Sequence, residues 1–323
     1  MPRPTSATTI QRPDLGVLVY EYMMDSANRG FICLDLLPSF DVMEQSADYP
    51  VIPFEALLKL QSTARAPRGA YARGDYEFET GTYSCKENGW EEPVDDVERK
   101  LYRRFFDAEV VAALRAADIV LRAQEARVAA KVQSTANITQ TSAVTTEWDT
   151  AATCTPREDV ATAKEAMRAA GQPEPNVLVI SKKVFNKLLL AKQITDAFRY
   201  GAVPFEVRPF DQKKRDLAAF FDIDRILVGG AIKDSAKKGK TISAADIWDD
   251  EYALLAKVSS GGQDLREPCL GRTFLWTADS PQNIVTESYR EEQTRSDIYR
   301  VRQYTDEAFV FTGAGYLLSN IHT

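Results

Sequence analysis

The chain has 323 residues, of which 44% are hydrophobic and 27% are charged, and its formal net charge is −7. This composition is typical of a globular protein with a core, and it excludes a disordered or collagen-like chain. The longest apolar runs fall far short of the roughly 20 residues of a membrane span, and the first residues lack the pattern of a secretory signal. The acidic balance argues against general binding of nucleic acid on the surface.

Histidine is nearly absent, which restricts the possible catalysis. The one histidine, His322, is next to the last residue, so Ser-His-Asp and Cys-His arrangements lack a base unless His322 folds back. The cysteines Cys33, Cys85, Cys154 and Cys269 form no Cys-x-x-Cys pair and are interpreted as reduced thiols. We therefore expect no catalytic residue, no cofactor and no metal site.

Residues 1–48 have the character of an extended N-terminal arm. Prolines interrupt it, and one short helix is predicted from Leu15 to Asn28. A terminus of this kind stays loose unless contacts elsewhere hold it.

Residues 49–92 are predicted to form a long loop with a hairpin. Aromatic and acidic residues alternate along 76–80, which is a strand pattern, and Asn88-Gly89 favours a hairpin turn. A two-stranded ribbon is marginal in water by itself. Two interpretations stay open: a surface insertion, or a ribbon that lies on a neighbouring subunit.

Six charged residues of this stretch are candidates for contact between subunits. The arginines could also hold phosphate, but the acids beside them favour ion pairs between subunits. The six are Arg65, Arg68, Arg73, Asp75, Glu77 and Glu79.

Residues 94–133 contain no glycine or proline and are predicted to form a long helix. Asp95 with Glu98 has the spacing of a capping box, and an apolar stripe begins at Val97, Leu101 and Phe105. A continuous helix of about 38 residues would be roughly 57 Å long, more than the diameter of about 50 Å of a compact chain of this size. This predicts a flat or elongated subunit. The alternative is a break near 106–107, where Asp107 caps a second helix.

Residues 155–267 are predicted to be a compact domain of mixed helices and strands. Thr155-Pro156 begins a helix, 176–180 is a buried strand, and Ser181 caps a helix that passes Ile194. Further strands are predicted at 220–221 with 226–228, and at 252–258. Residues 271–321 are predicted to be mainly strands, arranged most simply as an antiparallel meander. Four tryptophans are interpreted as packing anchors: Trp90, Trp148, Trp248 and Trp276.

The segment 228–241 imitates a phosphate loop. Val228-Gly229-Gly230 is followed by Gly239-Lys240-Thr241, but position 234, where a Walker motif requires glycine, is aspartate. Nucleotide binding is therefore disfavoured. The acids at 222, 224 and 249–251 are interpreted as surface residues rather than as ligands of a divalent cation.

The order of these elements resembles the major capsid proteins of tailed bacteriophages, whose fold is of the Hong Kong ninety-seven type. The stretches that carry the resemblance are 175–180, 226–231, 246–248, 271–274 and 314–317.

The resemblance implies an α+β fold with six parts. They are an N-terminal arm (1–48), an extended loop over an adjacent subunit (49–92), a spine helix and linker of the peripheral domain (93–154), an axial domain (155–267), peripheral strands (268–306) and a return toward the axial domain (307–323).

The resemblance also implies a function without catalysis. Copies of the chain would assemble as hexamers and pentamers into an icosahedral shell around double-stranded DNA, without sequence-specific binding and without a membrane. The expected partners are a separate scaffolding protein, a portal protein and a cement protein, and the expected location is the virion, assembled in the cytoplasm of a bacterial host. The alternatives are an encapsulin-like nanocompartment and, from another class, a nucleotide-binding enzyme that uses the 230–241 loop.

Overall fold

The computed structural model describes residues 10–24, 30–53, 58–61, 63–65, 67–74, 78–199, 205–237, 239–260, 262–280 and 283–322. Helices and strands both contribute, as an α+β fold requires. The helices of the described residues are α1 Pro13–Met24, α2 Cys33–Leu36, α3 Asp96–Tyr102, α4 Ala108–Val132, α5 Pro156–Ala169, α6 Lys182–Leu188, α7 Lys192–Ala197 and α8 Phe210–Phe221.

The described strands form two larger sheets and two ribbons. The first seven strands are β1 Ile10–Gln11, β2 Ser39–Val42, β3 Ser46–Val51, β4 Glu79–Ser84, β5 Lys86–Asp95, β6 Thr141–Ala143 and β7 Val177–Ser181. The others are β8 Arg225–Gly229, β9 Ile232–Asp234, β10 Ala244–Asp246, β11 Ala253–Ala256, β12 Gly271–Trp276, β13 Val285–Glu291, β14 Ser296–Phe309 and β15 Gly315–Ser319. The ribbons are β3–β4 and β9–β10.

The predicted long helix is two helices, so the interpretation as one continuous rod is wrong and the alternative with a break is confirmed. The Asp95 side chain accepts a hydrogen bond from the Val97 amide at the start of α3, and the Asp107 side chain accepts one from the Glu109 amide at the start of α4. Asp107 has an extended backbone, which no helix can continue through. With 25 residues, α4 is about 37 Å long.

Helix α4 packs on the six-stranded sheet through small side chains. Four alanines face β5 and β14 in one core with Tyr299 and Val301 of β14. Because alanine side chains are small, they allow α4 to approach the strands closely, which explains why this face of the helix has few large side chains. The alanines are Ala112, Ala113, Ala116 and Ala117.

The long strand β14 is the centre of the six-stranded sheet. It pairs antiparallel with β5 over 296–305, with β13 over 296–302 and with β12 over 305–309. Because both β5 and β13 pair with the same residues, they lie on opposite sides of β14. The predicted meander is therefore wrong in its order, since β12 and β13 both pair with β14 and are not adjacent to each other in the sheet.

The hairpin turn predicted at Asn88-Gly89 is also wrong. Both residues lie inside β5, where Gly89 is opposite Arg302 of β14. A Cβ on Gly89 would lie 3.0 Å from the Cβ of Arg302, so this glycine permits close approach of two strands. The ribbon near this place is instead β3 with β4, in which Tyr49 is opposite Gly81.

The five-stranded sheet runs in the order β6-β15-β11-β7-β8 and is covered on both faces. Leu178 and Ile180 belong to the core on one face, and Val177 and Val179 to the core on the other. This explains the continuous apolar run of β7. Ser181 caps α6 as predicted, by accepting a hydrogen bond from the Val184 amide.

Two other predictions in this region fail. The residues 220–221, predicted to be a strand, are the last turn of α8, because tertiary packing buries one face of a helix there. The helix predicted to pass Ile194 is interrupted between Leu188 and Lys192.

Tryptophans divide between core and surface. Trp148 and Trp248 are fully buried, as predicted, but Trp90 is 46% exposed and is not a packing anchor. Trp276 is half-buried against Tyr304, with ring centroids 5.1 Å apart.

Candidate assembly surface

The ribbon β3–β4 carries a long loop whose described residues are exposed. Leu58, Leu60, Tyr71 and Phe78 are all exposed, and Leu60 is completely so, at 101%. Apolar side chains that cluster on the surface of a folded chain make that surface a candidate for contact with another molecule.

Aromatic packing fixes the base of this ribbon to the six-stranded sheet. The rings of Tyr83 and Phe274 are stacked with centroids 4.7 Å apart, and the Tyr49 hydroxyl donates a hydrogen bond to the Phe309 carbonyl at 3.0 Å. A Cβ on Gly81 would lie 2.4 Å from the Tyr49 ring, so glycine is required there. The loop therefore extends from a rigid base.

Four of the six predicted contact residues lie in the described part of this loop, and all four are exposed: Arg65, Arg68, Arg73 and Glu79. Asp75 and Glu77 lie outside the described residues. The Arg65 guanidinium is 4.6 Å from the centre of the Tyr71 ring, and its Nε donates to the Gly69 carbonyl at 2.6 Å. Within one chain the described four form no common site, so the prediction of contact between subunits stays a prediction.

Helix α3 presents a second apolar surface, which the sequence analysis missed. Val97, Leu101 and Phe105 were expected to begin a buried stripe, but they are 66%, 63% and 80% exposed. The rings of Tyr102 and Phe106 stack beside them with centroids 5.2 Å apart. Val97 and Leu101 share one face of α3, which is turned to solvent rather than to the sheet, and Phe105 lies just beyond the end of the helix.

Ion pairs hold α3 in this orientation. Asp96 accepts two hydrogen bonds from the Arg290 guanidinium, at 2.7 and 2.8 Å. Arg99 pairs with Asp297 and, at 3.2 Å, with Glu109 of α4. The hydrogen bonds from Arg290 lower the pKa of Asp96 to about 2. Since α3 has no buried residue, charged groups rather than a core fix its position.

A buried carboxylate joins the N-terminal arm to helix α4 and to the segment after β10. Glu125 of α4 accepts hydrogen bonds from the amides of Ile32 and Cys33, both at 2.9 Å, and from the Trp248 indole at 2.6 Å. Burial raises the pKa of Glu125, and the hydrogen bonds from its three donors oppose that rise. The first turn of α2 is thereby attached to α4 and to the segment after β10.

The 230–241 segment lacks the geometry of a phosphate loop. It contains the first strand of the β9–β10 ribbon, and the element after it is strand β10 rather than a helix. The Asp234 carboxylate accepts hydrogen bonds from the amides of Ala236 at 2.9 Å and Ser243 at 3.0 Å. The Asp234 carboxylate is therefore the acceptor for these two amides.

Within the described ranges, no group of three His, Cys, Asp or Glu side chains is placed to hold a metal ion. His322 lies 4.0 Å from Asp149, and all four cysteines are buried and unpaired. None of the helices in the described part of the chain is long and apolar enough to cross a membrane.

The chain is similar to phage capsid proteins in sequence and in structure. No family model matches the sequence. The major capsid protein of Burkholderia phage BcepMu is 28% identical over 309 residues, which cover 91% of this chain and 92% of that protein. The capsid structure of the cyanophage P-SCSP1u matches with a TM-score of 0.54 at 12% identity, over 88% of this chain and 86% of that one. The chain has the fold of a phage capsid protein.

Two further structures share this capsid fold. The crystal structure of a phage-related protein from Bordetella bronchiseptica matches with a TM-score of 0.69 at 23% identity, over 97% of this chain and 98% of that one. An encapsulin from Synechococcus elongatus matches with a TM-score of 0.51 at 14% identity, over 90% and 89%. The resemblance drawn from the order of elements is confirmed.

Proposed function

We propose that this chain is the major capsid protein of a phage, and that its copies assemble as hexamers and pentamers into an icosahedral shell around double-stranded DNA. The observation that carries the proposal is similarity to a phage major capsid protein over nine tenths of both chains, together with the capsid fold. Its role is structural rather than catalytic.

The two larger sheets support a division into two domains. The six-stranded sheet with α4 would be the peripheral domain, most of which lies within 93–154 and 268–306, although β6 of the linker pairs in the five-stranded sheet. The five-stranded sheet with α5 to α8 would be the axial domain, 155–267. Strand β15, in the return segment 307–323, pairs with β11 and β6 in the five-stranded sheet, which supports a return toward the axial domain.

The loop between β3 and β4 would supply contacts between subunits. Its exposed apolar residues have no cover in the single chain, and its charged residues Arg65, Arg68, Arg73, Asp75, Glu77 and Glu79 would form ion pairs with a neighbour. The exposed face of α3 offers a second apolar surface to another copy. Heterologous contacts of this kind close into rings when the rotation between copies permits.

Other parts of the proposal follow from the role of a capsid. The partners would be a scaffolding protein, a portal protein and a cement protein. The shell would belong to the virion, and it would be assembled in the cytoplasm of a bacterial host. A shell that only encloses DNA needs no sequence-specific contact, which agrees with the net charge of −7.

A second candidate is an encapsulin-like nanocompartment, which the structural match to an encapsulin favours. In that case the shell would enclose a protein rather than DNA. The contents of purified shells distinguish the two candidates.

The test is expression of the chain alone and together with a candidate scaffolding protein, followed by electron microscopy. We expect closed shells, or free hexamers and pentamers, under at least one condition. A monodisperse monomer under both conditions would contradict the proposal. Nuclease-protected DNA in shells from infected cells supports the capsid, and a protein cargo supports the nanocompartment.

Charge placed on the two exposed apolar surfaces tests their role in assembly. Leu60→Asp and Phe105→Asp should leave the circular dichroism and urea midpoint of the unassembled chain unchanged, because neither side chain is buried, and should prevent shell formation. Thr162→Asp, at an exposed position of α5, is the matched control and should still assemble. Normal shells from both apolar variants would show that these surfaces lie outside the interfaces.

A further inference from the structure

A groove of about 220 Å³ follows the outer edge of β8. It is lined by residues 226–228 of β8, by Gly30, Ile32 and Asp35 of the arm, and by Lys182, Phe210 and Lys214 of helices α6 and α8. Because a single chain supplies all of these residues, the groove does not depend on assembly of a shell.

Strand β8 has unused backbone groups on this edge. It is the last strand of the five-stranded sheet and pairs with β7 alone, in parallel, with Arg225 beside Val177. The Arg225 amide donates to the Asn176 carbonyl at 3.3 Å. Because successive residues of a strand direct their backbone groups to opposite sides, Ile226 and Val228 direct their N–H and C=O groups into the groove.

No hydrogen bond among the described residues uses the backbone groups of Ile226 or Val228. The arm touches the strand at its far end, where the Gly230 amide donates to the Gly30 carbonyl at 3.1 Å. A Cβ on Gly30 would lie 2.6 Å from the Gly230 Cα, so the two backbones close the groove there.

Two lysines, Lys182 and Lys214, lie at one end of the groove. At the Gly230 end the Lys182 ammonium lies 3.7 Å from the centre of the Phe210 ring, and the Lys214 ammonium lies 5.0 Å from it. Lys214 pairs with Asp211 at 3.0 Å. Burial and the charge of Lys214 both lower the pKa of Lys182.

The opposite end of the groove holds one cation and one acid. The Arg225 side chain donates to the backbone carbonyl of Asp35 at 3.0 Å, which places both residues at the start of β8. A ligand that lies along β8 therefore meets two lysines at the Gly230 end and residues of opposite charge at this end.

We propose that this groove binds an extended peptide segment of a partner protein as an added strand on β8, with an acidic side chain of the peptide between Lys182 and Lys214. Free strand edges bind extended peptides through main-chain hydrogen bonds, and side-chain pockets supply the selectivity. Here the N–H and C=O groups of Ile226 and Val228 supply the main-chain hydrogen bonds, and the lysine pair supplies the selectivity for an acidic side chain.

The test uses a labelled peptide of alternating valine and glutamate, and fluorescence anisotropy with the purified full chain. We expect saturable binding. The same peptide with alternate amides N-methylated should bind at least about tenfold more weakly, because it cannot form the main-chain bonds. A peptide with lysine in place of glutamate should also bind more weakly.

Two variants with matched controls locate the site. Lys182→Glu should weaken binding about tenfold, as expected for a lost charged hydrogen bond, whereas Lys187→Glu on the same helix should have no effect. Val228→Pro removes an outward N–H and preserves the inward bonds of Leu227 and Gly229 to β7. Because the Val228 side chain lies in the core, we expect a lower urea midpoint, a folded circular dichroism spectrum and weaker binding. Unchanged urea midpoints for the two lysine variants, and a native circular dichroism spectrum for Val228→Pro, confirm that the variants fold.

Three results would overturn the proposal. One is no binding of the valine–glutamate peptide. Another is equal binding of the N-methylated peptide, which would exclude strand addition. The third is displacement of the peptide by inorganic phosphate or by a single-stranded oligonucleotide in a way that depends on Lys182, which would make this a site for phosphate anions.

Discussion

Glu125→Gln should destabilise the fold at the point where the arm, α4 and the segment after β10 meet. The substitution preserves the shape of the side chain and removes its charge. In the native chain one oxygen accepts from the Ile32 amide and the Trp248 indole, and the other accepts from the Cys33 amide. Glutamine has one acceptor oxygen, so its NH₂ group must face at least one of these donors.

The expected loss is the sum of opposing effects. A buried donor left without an acceptor costs about 1–3 kcal/mol, and hydrogen bonds to a neutral oxygen are weaker than those to a carboxylate. Relief of the desolvation of a charged group offsets part of this loss. We expect the free energy of unfolding to fall by about 2 kcal/mol.

The assay is urea unfolding of the unassembled chain followed by tryptophan fluorescence, at about pH 8, which is well above the ordinary pKa of a glutamate carboxyl. Glu165→Gln makes the same chemical change at an exposed position of α5, and it should alter the free energy of unfolding by less than about 0.5 kcal/mol. A loss for Glu125→Gln no larger than that of this control would refute the reasoning, because it would mean that the three donors do not depend on the carboxylate.

Two further predictions concern a close contact and an ion pair. Gly229→Ala would place a Cβ 2.3 Å from Cδ1 of Trp248, so we expect the free energy of unfolding in urea to fall by about 1–3 kcal/mol. The control Gly230→Ala, whose Cβ would have no contact closer than 3.6 Å, should be nearly neutral. Equal losses of stability in the two variants would contradict this prediction. Arg290 lowers the pKa of Asp96 from 3.8 to about 2. The stabilisation of the folded chain by the Asp96–Arg290 pair is therefore present above pH 3.8 and is lost as the pH falls through about 2. Asp96→Asn should therefore show a weaker pH dependence of the urea midpoint in that window, and an unchanged dependence would exclude this role of the pair.

The candidate assembly surface was only partly accessible from the sequence. The charge pattern and the lack of a core left two interpretations of 49–92, a surface insertion or a ribbon on a neighbouring subunit, and its described residues are largely exposed. The apolar face of α3 was missed, although Val97, Leu101 and Phe105 stood in the sequence at the right period. A period shows that side chains share one face, but it does not show whether that face meets a sheet or solvent.

Local features of this protein were predictable from its sequence. Asp95, Asp107 and Ser181 cap their helices because a cap depends on an acceptor a few residues away from an amide, and β7 was evident because a strand buried on both faces needs a continuous apolar run. The similarity to capsid proteins was visible in the order of such elements.

The pairing of strands and the covering of faces depended on the whole fold. Asn88-Gly89 lies in a strand because β14 pairs along all of β5, and residues 220–221 stay helical because the core of the five-stranded sheet covers one face of α8. The groove at β8 exists because the arm, α6 and α8 meet at one strand edge. These contacts join residues far apart in the chain, so their free energy belongs to the tertiary structure, and no short stretch of sequence contains it.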